Sequence, residues 1–423
     1  MIIHQPEIIR KDDNAILWSK IELDRKRDNF PDYIWYRVPE QYAPYLSTQS
    51  DAFLTSALIA AMHFGENIEV RGTISPRLAY SLNEYQFVMS FWLSQYLKQI
   101  EISYKNLQIE NVKPKGVAAT FSGGVDSFFT IKTHLPETQP ISEYQITHAL
   151  FTQGFDILHK EKAMYQALYS RYQKVLKELN IELVSMTTNA VRTIIPNLNF
   201  IDFYGPVLAS YGAVFSGLFK RFYIASSLDY YQLAMRASSS SPLPDRLLST
   251  ETLDIIHVGA THRRIEKIEA LSDWEPAQEH LRVCHIANVG DENINCSRCE
   301  KCSRTMVPLY TLGKMEIFKT FSKPFKSKRD ILWSARKYDP RKINYAPEAF
   351  IFAKKHNPNI LPWLYLAAFL GSIRYYLLRL LPYFMKIWLR RYGFFIDDLK
   401  EENAFETPEI IKLIENSLKG TKQ

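Results

Sequence analysis

Cysteine is scarce in this chain of 423 residues: there are four, and all fall between positions 284 and 302. No secretory signal precedes the N-terminus, so a reducing, cytoplasmic setting is expected and a disulfide scaffold is not. The Walker A pattern G-x-x-x-x-G-K-[ST] is missing, which argues against a motor or switch NTPase. No internal repeat and no long low-complexity tract organises the chain. An uncharged apolar run of membrane-spanning length is also missing. Residues Asn357 to Ile373 carry no charge, but Arg374, Arg379, Lys386, Arg390 and Arg391 then interrupt the run, and Pro362 and Pro382 break it. A spanning helix needs about twenty apolar residues, so a buried helical pair is expected here, with a basic amphipathic helix on a membrane or partner as the sharper alternative. What is present is ordinary in bulk. Hydrophobic residues make up 46% and charged residues 23%, and the formal net charge is +7. That length predicts two or three domains. The mild positive charge suits an anionic partner such as ATP, nucleic acid or a membrane surface without choosing among them.

Against that background the stretch GVAATFSGGVDSFFTIKT, residues 116–133, carries the most chemistry. A short apolar strand leads into Ser122-Gly123-Gly124-Val125-Asp126-Ser127, and the residues that follow can begin a helix. Two glycines let a backbone come close to a ligand and turn its N–H groups inward. A helix N-terminus adds unpaired amides and the positive end of its dipole. Ser122 and Ser127 supply hydroxyl donors. Asp126 cannot help a bare phosphate and makes sense chiefly as an Mg²⁺ contact. The competing reading is an ordinary turn with an Asp or Ser helix cap, since those residues favour turns and N-caps for local reasons.

The four cysteines stand in C-x11-C-x2-C-x2-C spacing, within a stretch too polar for small buried hydrophobes. Thiolates two residues apart can turn onto one ion, and the distant Cys284 closes a tetrahedral set with Cys296, Cys299 and Cys302. Structural zinc is expected, with an iron–sulfur cluster as the alternative. His285 is a substitute ligand for the first cysteine.

The string at 122–127 resembles the signature of the PP-loop (N-type) ATP pyrophosphatase superfamily, whose members cleave ATP between its α and β phosphates. With the later cysteine knuckle, the chain is similar to the 7-cyano-7-deazaguanine synthase family, in which the first cysteine gap is shorter and the knuckle binds zinc. The resemblance covers about half the chain, from Gly116 to roughly Leu312. It implies ATP, Mg²⁺ and Zn²⁺ as cofactors, residues 122–127 as the ATP loop with Asp126 and Ser127 in the chemistry, and the four cysteines as metal ligands. It also implies adenylation of a carboxylate or amide oxygen, on the way to an amide or nitrile. The acceptor is a deazapurine-like small molecule or a protein, and synthase-like relatives with extra domains occur in antiphage defence. A tRNA-modifying enzyme of the same superfamily and a nucleotide-binding scaffold without turnover are the alternatives.

The pattern divides the chain into an α+β domain over 1–113, a PP-loop domain over 114–330 with the knuckle at 284–302, and a helical region over 331–423. In the central block strands at His148–Thr152, Glu182–Met186, Phe222–Ala225 and Asp254–Val258 alternate with helices, as an α/β parallel sheet requires. The resemblance makes that sheet Rossmann-like, of the adenine nucleotide alpha hydrolase type. Ligands of such sheets sit outside the carboxyl ends of the strands. Gln153 and Asp156 are therefore candidates for adenine or ribose contact, and Arg263 or Arg264 for pyrophosphate. The four serines at 238–241, ending at Pro242, read as a mobile loop.

Overall fold

The computed structural model describes residues 1–27, 30–194, 200–284, 294–337, 345–380 and 408–420. Eleven strands form one mixed, mostly parallel sheet: β1 (Ile2–Ile3), β2 (Glu7–Lys11), β3 (Asn14–Glu22), β4 (Tyr33–Pro39), β5 (Ile68–Ile74), β6 (Ile102–Leu107), β7 (Gly116–Thr120), β8 (His148–Gln153), β9 (Glu182–Thr188), β10 (Phe219–Ala225) and β11 (Asp254–Val258). The order is β11-β10-β7-β8-β9-β4-β3-β1-β5-β6, with β2 pairing β3. From β11 to β9 every pair is parallel, as is the stretch β1-β5-β6, while β9-β4, β4-β3, β3-β1 and β3-β2 are antiparallel. The principal helices are α1 (Asp51–Phe64), α2 (Pro76–Trp92), α3 (Val125–Thr133), α4 (Lys162–Glu178), α5 (Gly205–Val214), α6 (Arg264–Leu271), α7 (Glu300–Thr311), α8 (Tyr345–His356), α9 (Leu361–Leu380) and α10 (Pro408–Gly420).

The chain forms two compact bodies. The first takes Met1–Ser122, Thr130–Thr261 and Glu402–Gln423 and holds the whole sheet; the second takes Gly123–Phe129 and His262–Glu401.

Strand β7 reads Gly-Val-Ala-Ala-Thr, and Val117, Ala118 and Ala119 are all buried, as expected of a parallel strand covered on both faces. Strand β3 divides its residues by parity. Ala15, Leu17 and Ile21 join the main core, while Ile16 and Trp18 meet Trp35 of β4 and Ile410 and Ile414 of α10 in a separate cluster. The two-residue period of a strand makes that division. Helix α1 is buried along nearly its whole length and stops at Gly65, whose φ of 67° is the left-handed conformation that ends many helices.

The expected boundary near residue 113 does not divide the sheet. Tyr36 and Arg37 of β4 lie opposite Thr188 and Thr187 of β9, so the N-terminal strands extend the parallel sheet antiparallel. Helix α5 stops at Val214, and the strand expected from Phe222 starts earlier, at Phe219, with Phe219 and Phe222 both buried. The serines expected to form a mobile loop are buried instead. Short hydroxyls satisfy the backbone locally there: the Ser239 hydroxyl accepts from the Gly205 N–H at 3.0 Å and the Ser238 hydroxyl from the Ser240 N–H at 3.3 Å.

One buried acid makes this body pH-sensitive. Burial of Asp51 pushes its carboxyl up to about 7, although the Ser75 hydroxyl and N–H donate to it at 2.5 and 2.9 Å and pull the other way. An Asp titrates near 3.9 when unfolded, so the folded state holds the proton more tightly. The resulting stability is fully present below about pH 4 and is lost as pH rises through about 7. Asp51→Asn, neutral at every pH, is expected to stabilise the chain at pH 8 by about 2–4 kcal/mol and to be near-neutral at pH 4. Urea unfolding of both proteins at the two pH values checks this, and parallel pH profiles would refute it.

Candidate functional site

The chain leaves β7 at Thr120, passes Ser122, and enters α3 at Val125. Gly123 takes a φ of 75°, a conformation costly for any residue with a Cβ, which explains a glycine at that position. The Phe128 N–H donates to the Gly124 carbonyl at 3.0 Å, so the helix starts directly on the glycine pair with its positive dipole end at the loop. The Ser127 hydroxyl donates to the same carbonyl at 3.1 Å and closes the turn.

Asp126 stands in the first turn of α3, and α6 brings two cations to it. Arg264 Nη1 donates to Oδ2 at 2.8 Å and Lys267 Nζ to Oδ1 at 3.0 Å. Three residues apart, the two bases share one helix face. The Lys267 side chain is 2% exposed and Asp126 19%, so the pair is shielded from water. Lys267 also lies 5.8 Å from the centre of the Phe129 ring. Burial by itself would raise the Asp126 carboxyl, but Lys267 first, then Arg264 and Arg304, hold it below the usual carboxylate range.

The other sequence candidates fall as follows. Arg263 is exposed at the start of α6, where its N–H donates to Glu266 Oε2 at 2.7 Å; its neighbour Arg264 is the one that meets Asp126. Gln153 ends β8, buried, and its amide donates to the carbonyls of Leu158 at 3.0 Å and His159 at 3.4 Å, pinning the loop that follows the strand. Asp156 is exposed in that loop. Ser122 and Gln153 lie at the carboxyl ends of adjacent parallel strands, the edge of such a sheet where ligands bind.

The four cysteines converge. Their sulfurs lie within 4.8 Å of one another, with Cys284–Cys299 at 3.8 Å and Cys296–Cys302 at 3.9 Å. Zinc–sulfur bonds of about 2.3 Å in a tetrahedron place sulfurs about 3.8 Å apart, whereas a disulfide needs about 2.05 Å. The residues present fit one zinc ion. An iron–sulfur cluster, with several irons among its thiolates, holds them farther apart than a single ion does. Backbone N–H groups of Arg298 and Cys299 donate to the Cys296 sulfur at 3.4 and 3.3 Å, and that of Cys302 donates to the Cys299 sulfur at 3.4 Å. Ser297 makes the tight turn between them at φ 56°. Hydrogen bonding from Cys296 pushes the Cys284 thiol well below its ordinary value, while hydrogen bonding with Cys284 pushes Cys302 well above. Four sulfurs this close can all be thiolates only with a cation among them. His285, the substitute ligand considered from sequence, lies outside the described residues.

Metal knuckle and glycine loop are joined by short links. Arg282, two residues before Cys284, donates its N–H to the Gly123 carbonyl at 2.8 Å. Helix α7 begins at Glu300, directly after Cys299, and carries the Arg304 whose charge reaches Asp126. Asn295 holds the knuckle: its Oδ1 accepts from the Val283 and Cys284 N–H groups at 2.7 and 3.2 Å, and its Nδ2 donates to the Leu281 carbonyl and Thr320 Oγ1 at 2.7 and 2.9 Å.

Comparison with protein-family models, with curated proteins and with solved structures finds no match. The site therefore rests on its own residues.

Sequence reasoning missed three of them. Lys267 sits in an ordinary amphipathic helix and gives no local signal beyond its three-residue spacing from Arg264. Arg282 acts through its backbone, which no side-chain pattern encodes. Asn295 adjoins Cys296, and a buried amide beside a metal ligand was the readable cue.

Proposed function

We propose that the chain is an ATP-dependent ligase or synthase that activates a carboxylate or amide oxygen by adenylation and releases pyrophosphate. The observation that carries the reading is the Ser122–Ser127 loop, which runs from the carboxyl end of a parallel strand into a helix and has Asp126 faced by Arg264 and Lys267. A Rossmann-like sheet of the adenine nucleotide alpha hydrolase type and kinship with the PP-loop pyrophosphatases belong to the same proposal.

The residues have distinct jobs in this reading. Amides of residues 123–127 bind the polyphosphate at the helix dipole. Arg264 and Lys267 are placed to take up negative charge as pyrophosphate departs. Asp126 is the residue that would hold Mg²⁺, which when bound would supply charge neutralisation of the phosphates. The four cysteines would hold zinc as a structural staple, since no sulfur is left over for a covalent role. Chemistry of this kind is mainly positioning and electrostatics.

The test incubates the full chain with Mg·ATP, ammonia and a set of deazapurine carboxylates. AMP and pyrophosphate in equal amounts, dependent on acceptor, are the expected products. Formation of ADP and phosphate alone, or no binding of ATP, would overturn the proposal.

A further inference from the structure

Helix α9 presents its apolar side to solvent. Along its outer face run Tyr365, Phe369, Leu370, Ile373, Tyr376 and Leu380, with Phe369 62% and Leu380 82% exposed. Positions three, four and seven apart share one side of a helix, so these residues form one stripe. The opposite side is occupied by protein: Leu364 and Ala367 are buried, and α8 packs against the helix. At 1.5 Å per residue, α9 is about 30 Å long. Continuous exposed apolar surface on that scale marks an interaction site.

Charge says what covers it. From Ala349 to Ile396 the sequence holds seven Lys and Arg and no Asp or Glu, as many positive charges as the net +7 of the whole chain. Lys354 and Lys355 of α8 are exposed, and Arg374 of α9 is partly so. Between Leu361 and Ile396 the sequence also places eleven aromatic residues, the type that settles at the boundary between lipid headgroups and acyl chains.

The window Pro358–Leu377 is long and apolar enough to cross a bilayer by length and composition. A spanning helix, however, meets lipid on all sides, and one side of α9 is committed to α8. From this geometry we infer that α9 docks the protein flat on an anionic lipid surface, its apolar stripe among the acyl chains and the neighbouring bases against the headgroups. Apolar burial and attraction to anionic lipid act together in such binding. The inference stands apart from the nucleotide reading and needs no turnover.

Vesicle co-sedimentation of the full chain tests it, with phosphatidylcholine alone and with phosphatidylcholine mixed with phosphatidylglycerol. Binding to the mixed vesicles is expected to be roughly tenfold tighter or more than to neutral ones and to weaken with salt. Phe369→Glu and Leu370→Glu, at exposed positions, should each weaken it by about tenfold. Unchanged zinc content and thermal unfolding of these variants show that the fold is intact. Alkaline carbonate should release the bound protein from the vesicles; retention would mean a spanning segment and overturn the surface mode. Failure to sediment with either vesicle overturns the inference, as does charge-independent binding. Self-association abolished by Phe369→Glu, without vesicle binding, would assign the stripe to a second copy of the chain.

Discussion

Stripping the metal from the four-cysteine knuckle is expected to cost the second body its cooperative fold and to weaken nucleotide binding at the glycine loop. The purified chain should carry one zinc ion, measured by elemental analysis, and Cys302→Ser should carry little. Structural zinc in small peptides is worth about 10–16 kcal/mol of apparent binding energy. That exceeds the stability of most domains, about 5–15 kcal/mol, so the loss should appear as disappearance of a calorimetric transition. Coupling to the loop follows from two links. Arg282, beside the first ligand, donates to the Gly123 carbonyl, and α7, started by the third ligand, carries the Arg304 whose charge reaches Asp126. ATP affinity, measured by calorimetry, should therefore fall at least about tenfold on chelation, as removal of an outer-shell partner does at other metal sites. A coloured protein with acid-labile sulfide would replace zinc by an iron–sulfur cluster. Full thermal stability and ATP affinity without metal would show that the knuckle is no staple.

The two constellations that stood out in the sequence are those whose chemistry is local. Thiolates two residues apart converge by local turns, and a glycine pair between an apolar strand and a helix needs no distant partner to be recognised. The sheet core was legible for the same reason: Asp254–Val258 was read to the residue from its apolar run and β-branched content. Long-range pairing was not. Nothing local in Tyr36 or Arg37 tells that β4 lies against β9, so one continuous sheet read as two domains. The pairing of Asp126 with Lys267 crosses 141 positions in sequence, and the lysine looks like any base on an amphipathic helix. The buried serines at 238–241 misled because serine is usually exposed, and only the structure shows which backbone groups they satisfy.

Asp126→Asn should be more damaging than Lys267→Met, although the two side chains form one pair. In Asp126→Asn both cations lose the carboxylate charge that faces them, and Lys267, 2% exposed, keeps its charge in a setting shielded from water. Breaking a buried pair from one side costs about 3–5 kcal/mol. In Lys267→Met the carboxylate keeps Arg264 at 2.8 Å, and the methionine refills much of the volume against Phe129, so the cost should stay nearer 1–2 kcal/mol. The double variant removes both buried charges and should recover most of the stability lost in Asp126→Asn, because replacing an ion pair by apolar or neutral groups is often neutral. AMP release should stay depressed in all three, by about a hundredfold or more, since electrostatic groups at a departing pyrophosphate contribute on that scale. That separation of stability from turnover distinguishes a reaction site from a structural salt bridge. The pH profile gives an independent handle. Asp126 is held below its ordinary range, so the pair stabilises the fold above the unfolded carboxylate value and releases it as pH falls through the lower folded value. Asp126→Asn should thus narrow its deficit against the parent protein in acid, the opposite sense to Asp51→Asn, whose advantage grows with rising pH. A double variant that regains both stability and AMP release would reduce the Asp126–Lys267 contact to scaffolding and remove the loop from the chemistry.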